Sequence, residues 1–291
     1  MNKLERKNWP WVYLFLLPTL VMFLLFYCWP IIQVFYTSFT RWNGISTPEF
    51  VGMGNFIRLF NIRSFIISMK NIGLWSLLAA TVHVSFGVLV ALIFFKRPPG
   101  WKAVRTAFMV PMVISGAAWA MIYRFIFNND FGLLNNIIRA FWPDFNVNWF
   151  FQSPYAFWAI TFTWLFYAVV ITMVVLADLM AIPDDLREAA KIDGASSRQL
   201  LFRIELPLCR FSIGTSVILS VTSRISMYEA IALTSRGGPG DDTMSLSLIL
   251  VRSITDRNFG LANATAVIMF VMGILVMLII NRIFRMNENV Y

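Results

Sequence analysis

Long apolar runs alternating with short polar stretches set the plan of this chain. Residues 11–40, 149–177 and 261–281 carry no charged side chain, and further apolar runs cover about 71–95, 106–127 and 208–233. A helix needs ~20 apolar residues to cross a bilayer, and in lipid its backbone polar groups must be satisfied within the segment. The pattern predicts six membrane-spanning helices, at about 11–35, 71–95, 106–127, 150–180, 208–233 and 261–281. The first is not read as a cleaved secretion signal. Its apolar part is too long, and Tyr27-Cys28-Trp29-Pro30 is not a small-residue cleavage site.

The polar stretches differ in character. Residues 51–60, VGMGNFIRLF, predict a turn and then a short amphipathic helix at the membrane surface. Lys96-Arg97-Pro98-Pro99-Gly100 ends the second run abruptly, residues 128–148 are polar with little charge, and residues 234–260 contain RGGPGDD and a second amphipathic piece. Composition agrees with a membrane protein. Of 291 residues, 58% are hydrophobic and 13% charged, against about 25% charged in soluble domains; the mean hydropathy is +0.69.

The net charge of +9 follows the loops and gives no reason to invoke nucleic acid. Six spans put both termini on one face. Of the 24 basic residues, fourteen then fall on that face and eight on the other, with Arg124 and Arg224 inside spans. Basic loops stay in the cytoplasm, so the termini and residues 182–207 are expected there. Cys28 and Cys209 are expected on opposite sides and unbridged. His83 has no Cys/His cluster around it, so no metal is assigned. No phosphate-binding G-x4-G-K-[ST] loop occurs, so any ATP would be bound by another chain.

Residues 182–207 are the most informative polar stretch. Pro183 suits the first turn of a helix, with Asp184 and Asp185 at its positive end. Leu186, Ala189, Ala190 and Ile192 can form a small apolar face, with Arg187, Glu188 and Lys191 at its edges. Gly194 suits the left-handed residue that closes a helix. Ser196 and Gln199 have the spacing of a capping box, and Pro207 should stop the second helix near Leu206. The fixed positions Glu188-Ala189-Ala190, Gly194, Ile204, Leu206 and Pro207 resemble the EAA-x3-G-x9-I-x-L-P signature of transmembrane subunits of bacterial ABC importers. In that family the segment docks on a cytosolic ATPase. The resemblance gives the contact to Glu188, Ala189, Ala190, Asp193, Gly194, Ile204, Leu206 and Pro207.

A second candidate lies in the fifth predicted span. Ser212, Ser216, Ser220, Arg224 and Tyr228 recur every four residues and would form one helical stripe. Arg224 lies about 6 Å from the helix midpoint, a costly depth unless it faces protein or water. One reading makes Ser216, Ser220, Arg224, Tyr228 and nearby Glu229 a substrate pathway. The other makes the serines packing residues, with Arg224 paired internally. Beyond the span, Leu233-Thr234, Gly237-Gly238-Pro239, Thr243 and Leu246 resemble the LT-x-GGP-x3-T-x2-L segment of the sugar-transporting, MalF/UgpA-type permeases. There Gly237, Gly238 and Pro239 would belong to a loop facing the binding protein.

The resemblance implies an all-α membrane protein, six transmembrane helices in the type I ABC importer fold, with a cytoplasmic coupling helix. It divides the chain into an N-terminus (1–10), a first span with an external loop (11–65), a permease core (66–285) and a C-terminus (286–291). It implies an importer of carbohydrate, an oligosaccharide or a sugar derivative, in the bacterial cell membrane, with no catalytic residue or cofactor in this chain. Its partners would be a second permease, making a heterodimer, a dimer of ATPases carrying ATP and magnesium, and an extracytoplasmic sugar-binding protein. The alternatives are a polyol or glycerol-phosphate permease and an ion-coupled carrier acting alone. Glu229 is the only acid well inside a span, which disfavours the proton-coupled form of that carrier.

Overall fold

A computed structural model describes residues 3–286, with side chains from residue 12. The residues beyond, including all but the first of the expected C-terminus 286–291, lie outside the described part. The regular structure of the described chain is helical apart from a two-stranded hairpin, Thr40–Arg41 against Glu49–Phe50.

Four helices are long and apolar enough to cross a membrane: Val12–Ser38, Arg63–Phe95, Tyr155–Ala181 and Phe259–Ile283. Two bent pairs bring the number to six if each is one span: Trp101–Val113 with Gly116–Ile126, bent by 105°, and Ser197–Leu208 with Arg210–Ala232, bent by 64°. All six expected runs thus fall largely on helices, with corrections. The fourth starts at Tyr155 rather than 150 and is interrupted between Leu165 and Val169. The second span starts at Arg63, directly after the short helix Gly54–Asn61. The third is broken at Ile114 and Ser115, because Pro111 cannot donate to the preceding turn and Ser115 caps a new helix, accepting from the Ala118 N–H at 3.2 Å.

Prolines also explain two widened turns. The π turns Leu24–Cys28 and Leu201–Glu205 each lead into a helix with a proline in its first turn, Pro30 and Pro207. Widening the turn ahead relieves the clash of the proline ring with the carbonyl four residues back. The helix expected to stop near Leu206 therefore runs on to Leu208.

The chain forms two compact units. One comprises residues up to Asn61 with Leu250–Ile268. Here the Asn55 amide bridges the Ser38 and Thr40 carbonyls, both at 2.8 Å. Gly260 lies against the Thr40 carbonyl so closely that a Cβ would come within 2.0 Å of it. The other unit comprises Ile62–Ile249 and Met269 onward, and it contains both candidate sites. Its second and fourth spans meet at Gly87, where a Cβ would lie 2.5 Å from Ile171 Cγ2 and the Gly87 carbonyl accepts from Thr172 at 3.1 Å. Twelve residues earlier on the second span, Trp75, wholly buried, stacks on Phe157 at 5.2 Å and donates to Thr161 at 3.0 Å.

Candidate functional site

The polar segment after the fourth span folds as two helices around a tight turn. Pro183 stands just before the first helix, Asp184–Ile192, rather than inside its first turn. Gly194 has φ +80°. Its N–H donates to the Lys191 carbonyl at 3.0 Å, and the Ala195 N–H donates to the Ala190 carbonyl at 2.9 Å, the bond pair that closes a helix on a left-handed glycine. The capping box forms: the Ser196 N–H donates to Gln199 Oε1 at 2.7 Å, and the Gln199 N–H to Ser196 Oγ at 3.3 Å.

The surface of this segment is open. Glu188, Ala189, Asp193, Gly194 and Pro207 are exposed, while Ala190, Ile204 and Leu206 are half-buried. The apolar side chains Leu186 and Ile192 are 42% and 85% exposed, and Phe202 on the following helix is 66% exposed. Arg187 departs from expectation. It is buried, not at the edge of the apolar face, because it finds acceptors on the fourth span and on Glu205.

The fifth span is also broken. Its long helix is Arg210–Ile225, and a four-residue helix, Glu229–Ala232, follows. Tyr228 therefore does not continue the serine stripe. Ser212, Ser216 and Ser220 are buried against protein, with Ser220 donating to the Ala79 carbonyl of the second span at 3.4 Å. That region of the second span is a π turn, Ala79–His83, and buried His83 uses Nδ1 on the Leu165 carbonyl at 2.9 Å.

Past the serines, a cavity of about 440 Å³ gathers Arg224, Tyr228 and Glu229 with Trp119, Trp164, Tyr167 and Thr163. Ser216 is not part of it; Ser220 lines a smaller cavity of about 270 Å³ that shares Arg224 and Tyr167. The Arg224 guanidinium lies 4.2 Å over the Trp164 ring, a cation–π contact that holds it without neutralising it. Nη1 lies 4.0 Å from the Met227 sulfur, and buried Nε has no partner among the described residues. Glu229 does not pair with it; its carboxylate packs on Gly116, where a Cβ would meet Oε2 at 1.8 Å. The wall is aromatic, with Trp119 5.0 Å from Tyr167 and anchored through its indole N–H to the Thr163 carbonyl at 2.8 Å. A flat aromatic surface beside both a donor and an acceptor group suits a polyhydroxylated ligand.

The break in the fifth span is stabilised from the next segment. Ser247 donates to the Ile225 carbonyl at 3.2 Å and Ser245 to the Met227 carbonyl at 3.1 Å. Irregular backbone at membrane depth persists only where its polar groups are met in this way. The loop between is folded tightly on itself. Thr243, wholly buried, bonds Ser235 Oγ at 2.7 Å and the Gly238 carbonyl at 2.8 Å, and Asn71 of the second span donates to the Asp242 and Met244 carbonyls at 2.9 and 3.0 Å. Gly237 is buried and Gly238 and Pro239 half-buried, while Arg236 and Gly240 are exposed.

Sequence reasoning missed Trp119, Trp164, Tyr167, Ser245 and Ser247. Each is an ordinary residue in an apolar or polar run and gives no local signal. A larger cavity, about 540 Å³, lies in the other unit, where Arg41 and Glu49 pair in solvent at 3.8 Å. It is lined by residues between Arg41 and Arg58 and by Asp256, Arg257 and Asn258.

Comparison with known proteins follows the same lines. The profile of the family described as "Binding-protein-dependent transport system inner membrane component" matches residues 83–289. The chain is 30% identical over 282 residues to the probable ABC transporter permease protein YurN of Bacillus subtilis (strain 168), covering 95% of this chain and 96% of that one. It is 28% identical to the probable starch degradation products transport system permease protein AmyD of Thermoanaerobacterium thermosulfurigenes, covering 91% and 90%. It is 30% identical to the trehalose/maltose transport system permease protein MalF of Thermococcus litoralis, covering 93% and 92%. Among solved structures, a bacterial ABC transporter involved in import of the acidic polysaccharide alginate superposes with a TM-score of 0.81 at 24% identity, covering 96% of each chain.

Proposed function

Because this chain belongs to the family of binding-protein-dependent inner-membrane transport components, we propose that it is the permease subunit of an ATP-driven carbohydrate importer. The observation that carries the reading is the coupling segment. A capped helix, Asp184–Ile192, presents Leu186, Ala189 and Ile192 to solvent beside exposed Glu188. Such an apolar patch with a charged rim has the form of a docking surface. The occupant is a cytosolic ATPase, and Glu188 sets the register against one of its basic residues.

The carbohydrate assignment draws on the cavity around Arg224 and on relatives named for starch products and for trehalose and maltose. A second permease completes the pathway, and an extracytoplasmic binding protein delivers the sugar. Both termini lie in the cytoplasm. ATP binding draws the coupling segments together and opens the cavity outward; hydrolysis returns it inward. A second reading, a carbohydrate bearing an acidic group, is favoured by the partnerless Nε of Arg224.

Gentle purification tests the reading. An ATPase and a second permease should accompany the native chain, and the ATPase should be lost from a Glu188→Lys, Gly194→Arg variant. A native chain that purifies alone and transports without ATP would sink it.

A further inference from the structure

Glu188 is exposed, yet the residue before it is buried. Arg187 Nη2 donates to the Leu179 carbonyl at 2.6 Å and Nη1 to the Ile182 carbonyl at 2.9 Å. These carbonyls lie at the end of the fourth span, where a helix has no backbone donor of its own. Nη1 also meets Asp184 at 2.9 Å, in the first turn of the coupling helix, and Nε meets Glu205 at 3.2 Å. Beneath the guanidinium, at 4.7 Å, is the ring of Phe95, the last residue of the second span.

One side chain thus joins the ends of two spans to both helices of the coupling segment. Arginine alone offers several donors in a rigid planar fork; a lysine ammonium is a point charge. The joint matters because of what replaces it. Ile182 and Pro183 between the fourth span and the coupling helix are extended, with ψ of 123° and 138°. Without a cross-tie they form a hinge on which the helix can swing.

We propose that Arg187 is a positioning residue whose fork locks the coupling helix to the ends of the second and fourth spans and to Glu205, so that they move as one body. This rests on the importer reading above. A push on the exposed helix is then carried directly to the spans rather than absorbed at residues 182–183.

The test uses the purified complex in a Cys28→Ser background, the other cysteine, Cys209, being fully buried. Spin labels are placed at Met180, 55% exposed, and at exposed Lys191 beside the apolar docking patch, and the distance between them is measured by pulsed electron resonance with and without ATP and vanadate. The native complex should show one narrow population that ATP does not move. Arg187→Lys, which keeps the charge opposite Glu205 but loses the fork, should broaden it and let ATP shift its centre. Arg187→Met with Glu205→Leu leaves no stranded charge and should do the same, so the comparison survives if the lysine variant fails to assemble. Narrow, unmoved distances in the variants overturn the clamp. Failure of both variants to assemble also overturns it, by reducing Arg187 to a folding residue. ATP hydrolysis by the native complex is measured alongside, and its absence overturns the importer reading itself.

Discussion

Arg187 is buried and Arg224 half-buried beside a cavity, and they are held in opposite ways. Around Arg187 stand two carboxylates, two carbonyls and an aromatic ring, all within 4.7 Å. Around Arg224 stand the Trp164 face and a thioether, with Nε unpartnered and a cavity alongside. A buried cation bonded at every guanidinium nitrogen is a fixture, since any movement breaks several charge-assisted bonds at once. A cation held by an aromatic face and one weak sulfur acceptor keeps most of its donors for something else. The first arrangement suits transmission of force and the second suits recognition.

That contrast can be broken most sharply at Arg187. Arg187→Met strands Glu205 in a buried site and should cost about 3–5 kcal/mol, read as a large fall in the thermal midpoint of the complex and in assembled protein. Adding Glu205→Leu removes the stranded charge and should restore most of the loss. If the double variant is as unstable as the single, the bonds to Leu179 and Ile182 matter more than the ion pair. Next comes Arg224→Met. It should change the midpoint by less than about 1 kcal/mol while weakening apparent affinity for the transported carbohydrate about 10- to 100-fold, the scale of one charge-assisted hydrogen bond. A stability loss like that of Arg187→Met would erase the distinction. The smallest effects belong to Ser245→Ala and Ser247→Ala, about 1 kcal/mol each, seen in thermal midpoints. A loss of uptake larger than the stability change explains would tie the broken helix to the placement of Arg224.

The two regions were unequally legible. The segment 182–207 could be read closely because its determinants are local: Gly194 at a left-handed position, and Ser196 and Gln199 three residues apart. Arg187 was nevertheless placed at the edge of the apolar face. Its burial depends on Glu205, eighteen positions away in the chain, and on Phe95 of another span. In the fifth span a period of four grouped Ser216, Ser220, Arg224 and Tyr228, but the helix ends at Ile225. Past that point helical spacing no longer says which side chains share a face. The cavity still unites Arg224, Tyr228 and Glu229, through tertiary packing instead of periodicity.

By itself the sequence determined the six apolar runs, the capped helix-turn-helix after the fourth, and an arginine within the apolar run of the fifth. Each depends on hydrophobicity, backbone preference or charge within some twenty residues, about the length of one span. Only the tertiary structure decided which arginine is bonded at every nitrogen, where the third, fourth and fifth spans break, and which aromatics face Arg224. Those outcomes rest on contacts such as Ser220 with Ala79 and Asn71 with Asp242, 141 and 171 residues apart. The physical reason is that a polar group in an apolar surrounding takes whatever partner the folded chain brings within reach, and local sequence does not encode which one that is.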